Sequence, residues 1–394
     1  LTPAARLQAA IEVLAALEQT AEPADKALRD FFRARRYAGS KDRAAVAERV
    51  YDVLRHYYSY SFRMQSSWPR RLVLASLLAE GADPAALFTG GQYAPEALDA
   101  GELAAIGATP GDAPKHVQGE FPAWLEPELT AAFGESLLAE MSAMGARASI
   151  DIRANTLKTS RENLAAALAE EGFEAQPTPR SPSGLRLSGA TTAKLSASKL
   201  FLEGHFEFQD EAAQVCAELC AVKPGQRVLD YAAGGGGKTL SLAALMQNKG
   251  EIIAHDISAA RLAMLPPRAE RAGVTIAKTS TNKPSGLFDV VLLDAPCSGT
   301  GTWRRQPELR VRLTLERLAE LAALQAELLV KAASFVKPGG KLVYATCSVL
   351  PRENEEQIAR FLAAHPAFTA TPFFHATPHR SQTDGFFTAV LNHA

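Results

Sequence analysis

From about residue 210 the chain alternates strand-like and helical runs, and this alternation restricts the fold more than any other feature. RVLDYA, EIIAHD, FDVVLLDAP and KLVYATCS are apolar runs without polar alternation. The stretches between them carry helical spacing, which predicts helices over 239–247, 259–272, 315–336 and 354–365. Continuous apolar strands separated by helices call for a parallel sheet covered on both faces. The expected architecture is therefore a doubly wound α/β domain, and in such sheets ligands gather beyond the carboxyl ends of the strands.

The remainder reads differently. Residues 1–90 are helical in composition, with Val46, Val50, Val53 and Leu54 at helical spacing and Ser40 and Asp42 as candidate N-caps. Gly and Pro cluster between 81 and 123, which marks looser connections. SIDIRAN, RENLAAALAEEG and GLRLSG then read as strand, helix and strand. The expected segments are a helical domain over 1–140, a small α/β domain over 141–209, and the doubly wound domain over 210–394. At 394 residues, two or three domains are expected on length alone. Hydrophobic content of 47% with 22% charged residues excludes a disordered chain, and no internal repeat is visible.

No apolar run reaches the ~18–20 residues of a membrane span. Four cysteines are too few for a disulfide framework, which points to a reducing cytoplasm. The chain opens on Leu1 rather than on an initiator methionine, which leaves room for residues upstream. The net charge of −1 conceals an asymmetry. Residues 26–71 hold twelve Lys/Arg against four Asp/Glu, a net of +8, and residues 72–140 hold eleven acids against Lys115, a net of −10. Such blocks create a local field that can steer a polyanion, or they are simply a solvated helical surface.

Ala232, Ala233, Gly234, Gly235, Gly236, Gly237 and Lys238 join the first strand of the α/β domain to its helix. Glycines let a ligand approach the backbone, and the helix start behind them favours an anionic or polar group. Gly237-Lys238-Thr239 matches the second half of a phosphate-binding loop, and VVLLD imitates that family's magnesium-holding strand. The other reading is a nucleoside cofactor whose ribose is held by an acid ending the second strand, where Asp256 stands. Cys216 and Cys220, four apart on one helix, read as small core hydrophobes, with no His or Cys pair nearby at metal-binding spacing. Cys297 and Cys347 each follow a strand end, after Asp294-Ala295-Pro296 and Thr346. Loops facing the ligand crevice make them a candidate nucleophile and accessory thiol, with a disulfide switch as the alternative.

LDYAAGGGGKT, IIAHDIS, VVLLDAPCSGTGTWRRQPELR and LVYATCSVLPRENEEQI, in that order, resemble the Sun-type (NOL/NOP/Sun) RNA cytosine-5 methyltransferases. IRANTLKTSRENLAAAL with FEFQDEAAQ is similar to the small RRM-like domain preceding the catalytic fold in that family, and DGFFTAVL to its last strand. ALRDFFRARRYAGSKDRAAVAERVYDVLR resembles the NusB-like RNA-binding domain of the bacterial small-subunit ribosomal RNA methyltransferase B group. The resemblance implies a Rossmann-like domain that binds S-adenosylmethionine through residues 232–238, Asp256 and Asp294. It also implies Cys347 as the nucleophile toward cytosine C6, with Cys297 assisting release of the product. Asp294 would touch the cofactor or N3 of the flipped base. Two departures stand out. Ala232 and Gly235 replace the Cys and Pro common in the family's loop, and AKTSTNKPSG lacks the usual adenine-side acid, leaving Ser280 or Thr281 as substitutes.

The implied partner is RNA, ribosomal or transfer. Arg304 and Arg305, with Arg310 and Arg312, are candidate phosphate contacts, and Trp303 is either a base-stacking platform or core. A P-loop NTPase leaves Asp256, Cys297 and Cys347 without a role, and a noncatalytic assembly factor has no need of the two thiols. Nothing in the sequence bears on the oligomeric state.

Overall fold

The computed structural model describes residues 1–394 and separates them into two compact units, one of residues 1–146 with 302–313, the other of 147–301 with 314–394.

In the second unit, apolar runs become strands buried on both faces. A small antiparallel sheet comes first: β1 (Ile150–Ala154), β2 (Glu174–Pro177), β3 (Gly184–Ser188) and β4 (Phe206–Phe208), in the order β2-β3-β1-β4. Helix Arg161–Glu170, capped by Ser160, packs Leu164 and Leu168 against Ile152 and Leu185. The large sheet follows. It comprises β5 (Arg227–Asp230), β6 (Glu251–His255), β7 (Ala277–Ser280), β8 (Phe288–Asp294), β9 (Val336–Thr346), β10 (Phe368–Ala370), β11 (Phe374–Ala376) and β12 (Phe386–His393). Its order is β10-β12-β9-β8-β5-β6-β7, with β11 also paired to β12. Strands β5 to β9 pair in parallel, while β12 runs antiparallel to β9. Val228, Leu229, Val291, Leu292, Leu342 and Val343 are fully buried, each contributing ~1.5–3 kcal/mol of burial.

The strand order reverses between β5 and β8. The loops after these two strands therefore open a crevice at the switch point, where ligands bind in such sheets. The expected helix over 259–272 is two pieces, Ala259–Leu262 and Leu265–Ala272. Pro266 and Pro267 lack amide donors and so sit where a helix begins. The long helix stops at Ala333, short of 336, and Val336 already belongs to β9.

The first unit is helical: Pro3–Glu18, Ala24–Ala34, Ser40–Arg55, Tyr57–Met64 and Pro69–Ala79 pack around Val13, Val46, Val50, Val53 and Leu74. Neither Ser40 nor Asp42 is itself the N-cap of the third helix. That place falls to Gly39, whose N–H donates to Asp42 at 3.3 Å. The interval 81–123 is less loose than its Gly and Pro imply. Asp99 caps helix Ala100–Gly107, and Glu102 there is fully buried against Arg70 at 2.6 Å.

The helices run on to Gly145, so a boundary at 140 falls inside helix Leu137–Gly145. Residues 302–313 are also built into this unit. Arg310 is 1% exposed and donates to the carbonyls of Arg55, Glu120 and Met144. Its burial lowers its pKa to about 10. Arg312 donates to the carbonyls of Glu22 and Leu17, and Trp303 is fully buried with the Arg310 guanidinium 5.1 Å from its ring centroid. These three residues are core and tethers rather than a surface for RNA.

Candidate active site

Strand β5 delivers Asp230 to its carboxyl end, and the chain then turns through residues 231–236 into helix Gly237–Leu245. The turn is fixed by two backbone bonds, Ala233 N–H to the His255 carbonyl and Gly236 N–H to the Ala233 carbonyl, both at 2.9 Å. Gly236 is obligatory there. Its φ is +79°, and a Cβ on it would lie 2.3 Å from Cδ1 of Leu265.

Three acids at neighbouring strand ends meet this loop in three different ways. Asp256 accepts from the N–H of Gly234 at 2.9 Å and of Ser258 at 2.8 Å, with the Arg261 guanidinium at 3.4 Å. Asp294 accepts from Lys238 at 2.6 Å. Burial works against the Lys238 ammonium, but the Asp294 carboxylate outweighs it and holds the lysine well above its ordinary pKa. Asp230, 1% exposed, accepts from Thr239 Oγ1 at 2.7 Å through one oxygen, while its Oδ1 has no hydrogen-bond partner. Burial pushes its pKa up to about 6.

A cavity of about 280 Å³ lies over the loop, lined by Asp230, residues 232–235, Gly237, Lys238, Asp294, Arg261 and Arg268. Its lining is of mixed sign, with the Asp230 and Asp294 carboxylates beside Lys238, Arg261 and Arg268. That suits a zwitterionic ligand carrying an ammonium and a carboxylate. Methyl-donor cofactors of the methionine type have that end group, so the residues fit one. A triphosphate fits less well, because Lys238 spends its ammonium on Asp294 and two further carboxylates stand at the loop.

Strands β8 and β9 are adjacent and parallel, so the loops after Asp294 and Thr346 lie side by side. They bring Cys297 Sγ and Cys347 Sγ to 3.4 Å, both side chains half-buried. The hydrogen bond with Cys347 pushes the Cys297 thiol well above its ordinary pKa, and burial adds to the rise. The loops are knit together by Gly301 N–H to the Cys347 carbonyl at 2.9 Å and by Val349 N–H to Thr300 Oγ1 at 3.0 Å. Gly301 also touches Gly385, where a Cβ would lie 2.2 Å from a carbonyl oxygen.

The structure thus brings together residues 232–238, Asp256 and Asp294 at one end of the crevice, with Cys297 and Cys347 on the two adjoining strand-end loops. Arg304 is 6% exposed and Arg305 half-buried, both in the helical unit. Cys216 and Cys220 are fully buried in core. Ser280 spends its hydroxyl in its own turn, accepting from Asn282 N–H at 3.1 Å, and its carbonyl partners His255 Nδ1 at 3.0 Å.

Sequence reasoning missed a polar cluster beneath the cysteine loops: Glu353, Gln325, Thr300 and Asn354, all 2% exposed or less. A signal was present. Gln325 interrupts the stripe Leu318, Leu321, Leu329 on an otherwise apolar helix face, and a buried polar residue at a core position demands a partner.

A parallel sheet with an antiparallel strand, β12, inserted next to its edge, a glycine loop after β5 and acids at the neighbouring strand ends define the Rossmann-like methyltransferase class. Residues 217–392 match the family described as 16S rRNA methyltransferase RsmB/F, and residues 121–194 match the ferredoxin-like domain of RsmF/B-like methyltransferases. The chain is 38% identical over 288 residues to a probable ribosomal RNA small subunit methyltransferase B of Synechocystis sp., covering 70% of this chain and 64% of that protein. It is 37% identical over 287 residues to the ribosomal RNA small subunit methyltransferase B of Klebsiella pneumoniae, covering 68% and 65%. The match therefore spans just under two thirds of these relatives' length.

Among solved structures, PH0851 superposes with a TM-score of 0.82 at 29% identity, over 100% of this chain and 99% of the other. NSun6 from Pyrococcus horikoshii, solved with SFG, superposes with a TM-score of 0.63 at 25% identity, over 69% and 98%. The chain belongs to the Sun-type family, close to its RsmB/F branch. No helix is long and apolar enough to cross a membrane.

Proposed function

We propose that this chain is an RNA methyltransferase that converts cytosine to 5-methylcytosine in small-subunit ribosomal RNA, in the cytoplasm, with S-adenosylmethionine as methyl donor. The observation that carries this reading is the approach of Cys297 and Cys347 to 3.4 Å at the ends of adjacent strands, beside the Lys238–Asp294 pair. One thiol suffices for addition to a base. A second in contact with it suits a reaction whose adduct must afterwards be released.

Cytosine C5 is a weak nucleophile until a group adds at C6. The Cys347 thiolate forms the S–C6 bond, and the displaced electron pair makes C5 enamine-like. Protonation at N3, with the proton drawn from solvent, stabilises the charge that develops, and in this reading the Asp294 carboxylate, paired with Lys238, accepts the resulting N3–H. The bound cofactor supplies a methyl group from its sulfonium. Release then requires the C5 proton to pass to a base; the pair left behind re-forms C5=C6 and expels Cys347. Cys297, in contact with Cys347, assists that elimination. The target base must leave its stack, since C6 is shielded within a helix.

Residues 232–238 and Asp256 hold the cofactor in this reading, with Asp230 and Arg268 in the lining of the cavity that takes its methionine end. The helical segment 1–146 and the small α/β segment present the RNA in this reading, with half-buried Arg305 adding a phosphate contact, whereas Arg304, 6% exposed, is too buried to share in it. The choice of ribosomal RNA is supported by the names of the related proteins.

The test is incubation of the full chain with labelled S-adenosylmethionine and bacterial small-subunit RNA, free and in particles, followed by nucleoside analysis. Label in 5-methylcytidine is the expected result. Label in any other nucleoside, or in transfer RNA alone, overturns the reaction or the substrate respectively.

A further inference from the structure

The two thiols are in contact, yet in the proposed reaction only one of them attacks. Both follow strand ends, both are half-buried, and both precede a serine. What differs is how each loop is held from below. Cys297 lies between two anchored neighbours. The Pro296 carbonyl accepts from Gln325 Nε2 at 2.9 Å, while Ser298 donates its N–H at 2.8 Å and its hydroxyl at 2.5 Å to the two oxygens of Glu353. Gln325 also donates to Glu353 at 2.9 Å. Cys347 is held by neutral groups instead: its carbonyl accepts from Gly301 N–H at 2.9 Å, and its neighbours bond to Asn354, Thr346 donating its hydroxyl at 2.5 Å and the Ser348 carbonyl accepting from Nδ2 at 3.0 Å.

Glu353 is fully buried, and the donors on its carboxylate are neutral: an amide, a hydroxyl and a carboxamide. A buried carboxylate satisfied by neutral dipoles keeps its field, and that field disfavours a second negative charge nearby. The titratable groups acting on Cys297 are Cys347 and Glu353, both raising its pKa, with Tyr344 packed close by; the Gly299 N–H favours the thiolate. The Tyr344 hydroxyl donates to the Glu353 carbonyl at 2.7 Å, which fixes the backbone from which the carboxylate reaches.

We propose that Glu353 is a positioning residue that clamps the Cys297 loop and sets a buried negative charge beneath it, which makes Cys297 the less reactive thiol of the pair. The role given to each thiol in catalysis rests on the proposed reaction, whereas the order of their reactivity toward a small alkylating reagent does not.

The experiment is iodoacetamide labelling of the full chain across pH 6–10, without RNA or cofactor, read by peptide mass mapping. In the wild type, Cys347 is expected to label at lower pH than Cys297. Glu353→Gln keeps the shape and removes the charge, and is expected to speed Cys297 labelling at pH 8 about tenfold, equivalent to about one pH unit, with Cys347 changing less. Glu353→Asp restores the charge and is expected to return the wild-type order. Ser298→Ala strips a donor from the carboxylate but leaves its charge, so Cys297 is expected to label more slowly, whereas a merely loosened loop would label faster. Buried Cys216 and Cys220 serve as internal sensors of unfolding, and if Glu353→Gln exposes them the Ser298→Ala result decides. Unchanged Cys297 labelling in Glu353→Gln, equal acceleration of both thiols, or faster labelling in Ser298→Ala would overturn the proposal. A failed methyl-transfer assay would leave this result readable, so the two claims fail separately.

Discussion

Two cysteine pairs in the same unit have opposite characters. Cys216 and Cys220 lie on and just beyond helix Glu211–Leu219, fully buried among Val228, Leu242 and Val290. Burial pushes the Cys216 thiol up to about 12 and Cys220 well above its ordinary value. Cys297 and Cys347 are half-buried on loops beyond β8 and β9 and touch each other. The Cys297 thiol is also raised, but first by its hydrogen bond with Cys347 and only then by burial. One pair is silenced by its surroundings; the other is tuned by its own partner. The lesson is that position against the sheet decides what a thiol does: inside a helix–sheet layer it is packing, and past a strand end it faces the crevice.

The contrast breaks most visibly at Cys347. Cys347→Ala is expected to lower methyl transfer by ~10³-fold or more, with the urea midpoint nearly unchanged because the side chain is only half-buried. An activity loss of less than tenfold would make Cys347 as silent as Cys216. Gly301→Ala attacks the same site through its backbone, since the added Cβ must displace a Gly385 carbonyl 2.2 Å away. Misplacing reacting groups by about 1 Å costs ~10²-fold in rate, so a loss of that order in kcat is expected, together with a lower Tm.

The acids sharpen the same contrast. Asp294 is paired with Lys238 at the crevice, whereas Asp230 is buried with one oxygen unpartnered. The folded-state pKa of Asp230, about 6, lies above the ordinary carboxylate value of 3.8. The folded chain therefore holds this proton longer than the unfolded chain does. The stability linked to it is fully present below pH 3.8 and is lost as the pH rises through about 6. Asp230→Asn is expected to flatten that part of the pH–stability curve and to stabilise the fold by ~2 kcal/mol at pH 8. It should at the same time weaken cofactor binding, which urea unfolding and equilibrium dialysis would separate. Smallest of all is Cys216→Ala. It is expected to cost ~1 kcal/mol for the small cavity while leaving methyl transfer within about twofold.

Those strands that carry the site were legible because each is a continuous apolar run, and a run buried on both faces leaves no other reading. Strands β2, β4, β10 and β11 have three or four residues each, too few for a period to show, and β7 is a polar edge strand. Pro266-Pro267 announced a break that the helical pattern over 259–272 concealed. Asp294 was visible as an acid closing a strand, and Cys297 and Cys347 as unusual residues just after strand ends. The docking of residues 302–313 into the helical unit was not visible, because arginines reaching for carbonyls look the same in sequence as arginines reaching for phosphates. Glu353 was missed for a similar reason. Within PRENEEQI it reads as one of several surface acids, and only its bonds to Ser298 and Gln325 show why it is buried.

The central claim is that Cys347 bonds to the base and Cys297 helps to release it. Its most direct measurement is a denaturing gel of Cys297→Ala protein after incubation with S-adenosylmethionine and bacterial RNA, run beside Cys347→Ala and the double variant. The expected result is an RNA-linked band with Cys297→Ala that is missing from both variants lacking Cys347. A band that survives the loss of Cys347, or one that forms with Cys347→Ala instead, would contradict the assignment of the two thiols.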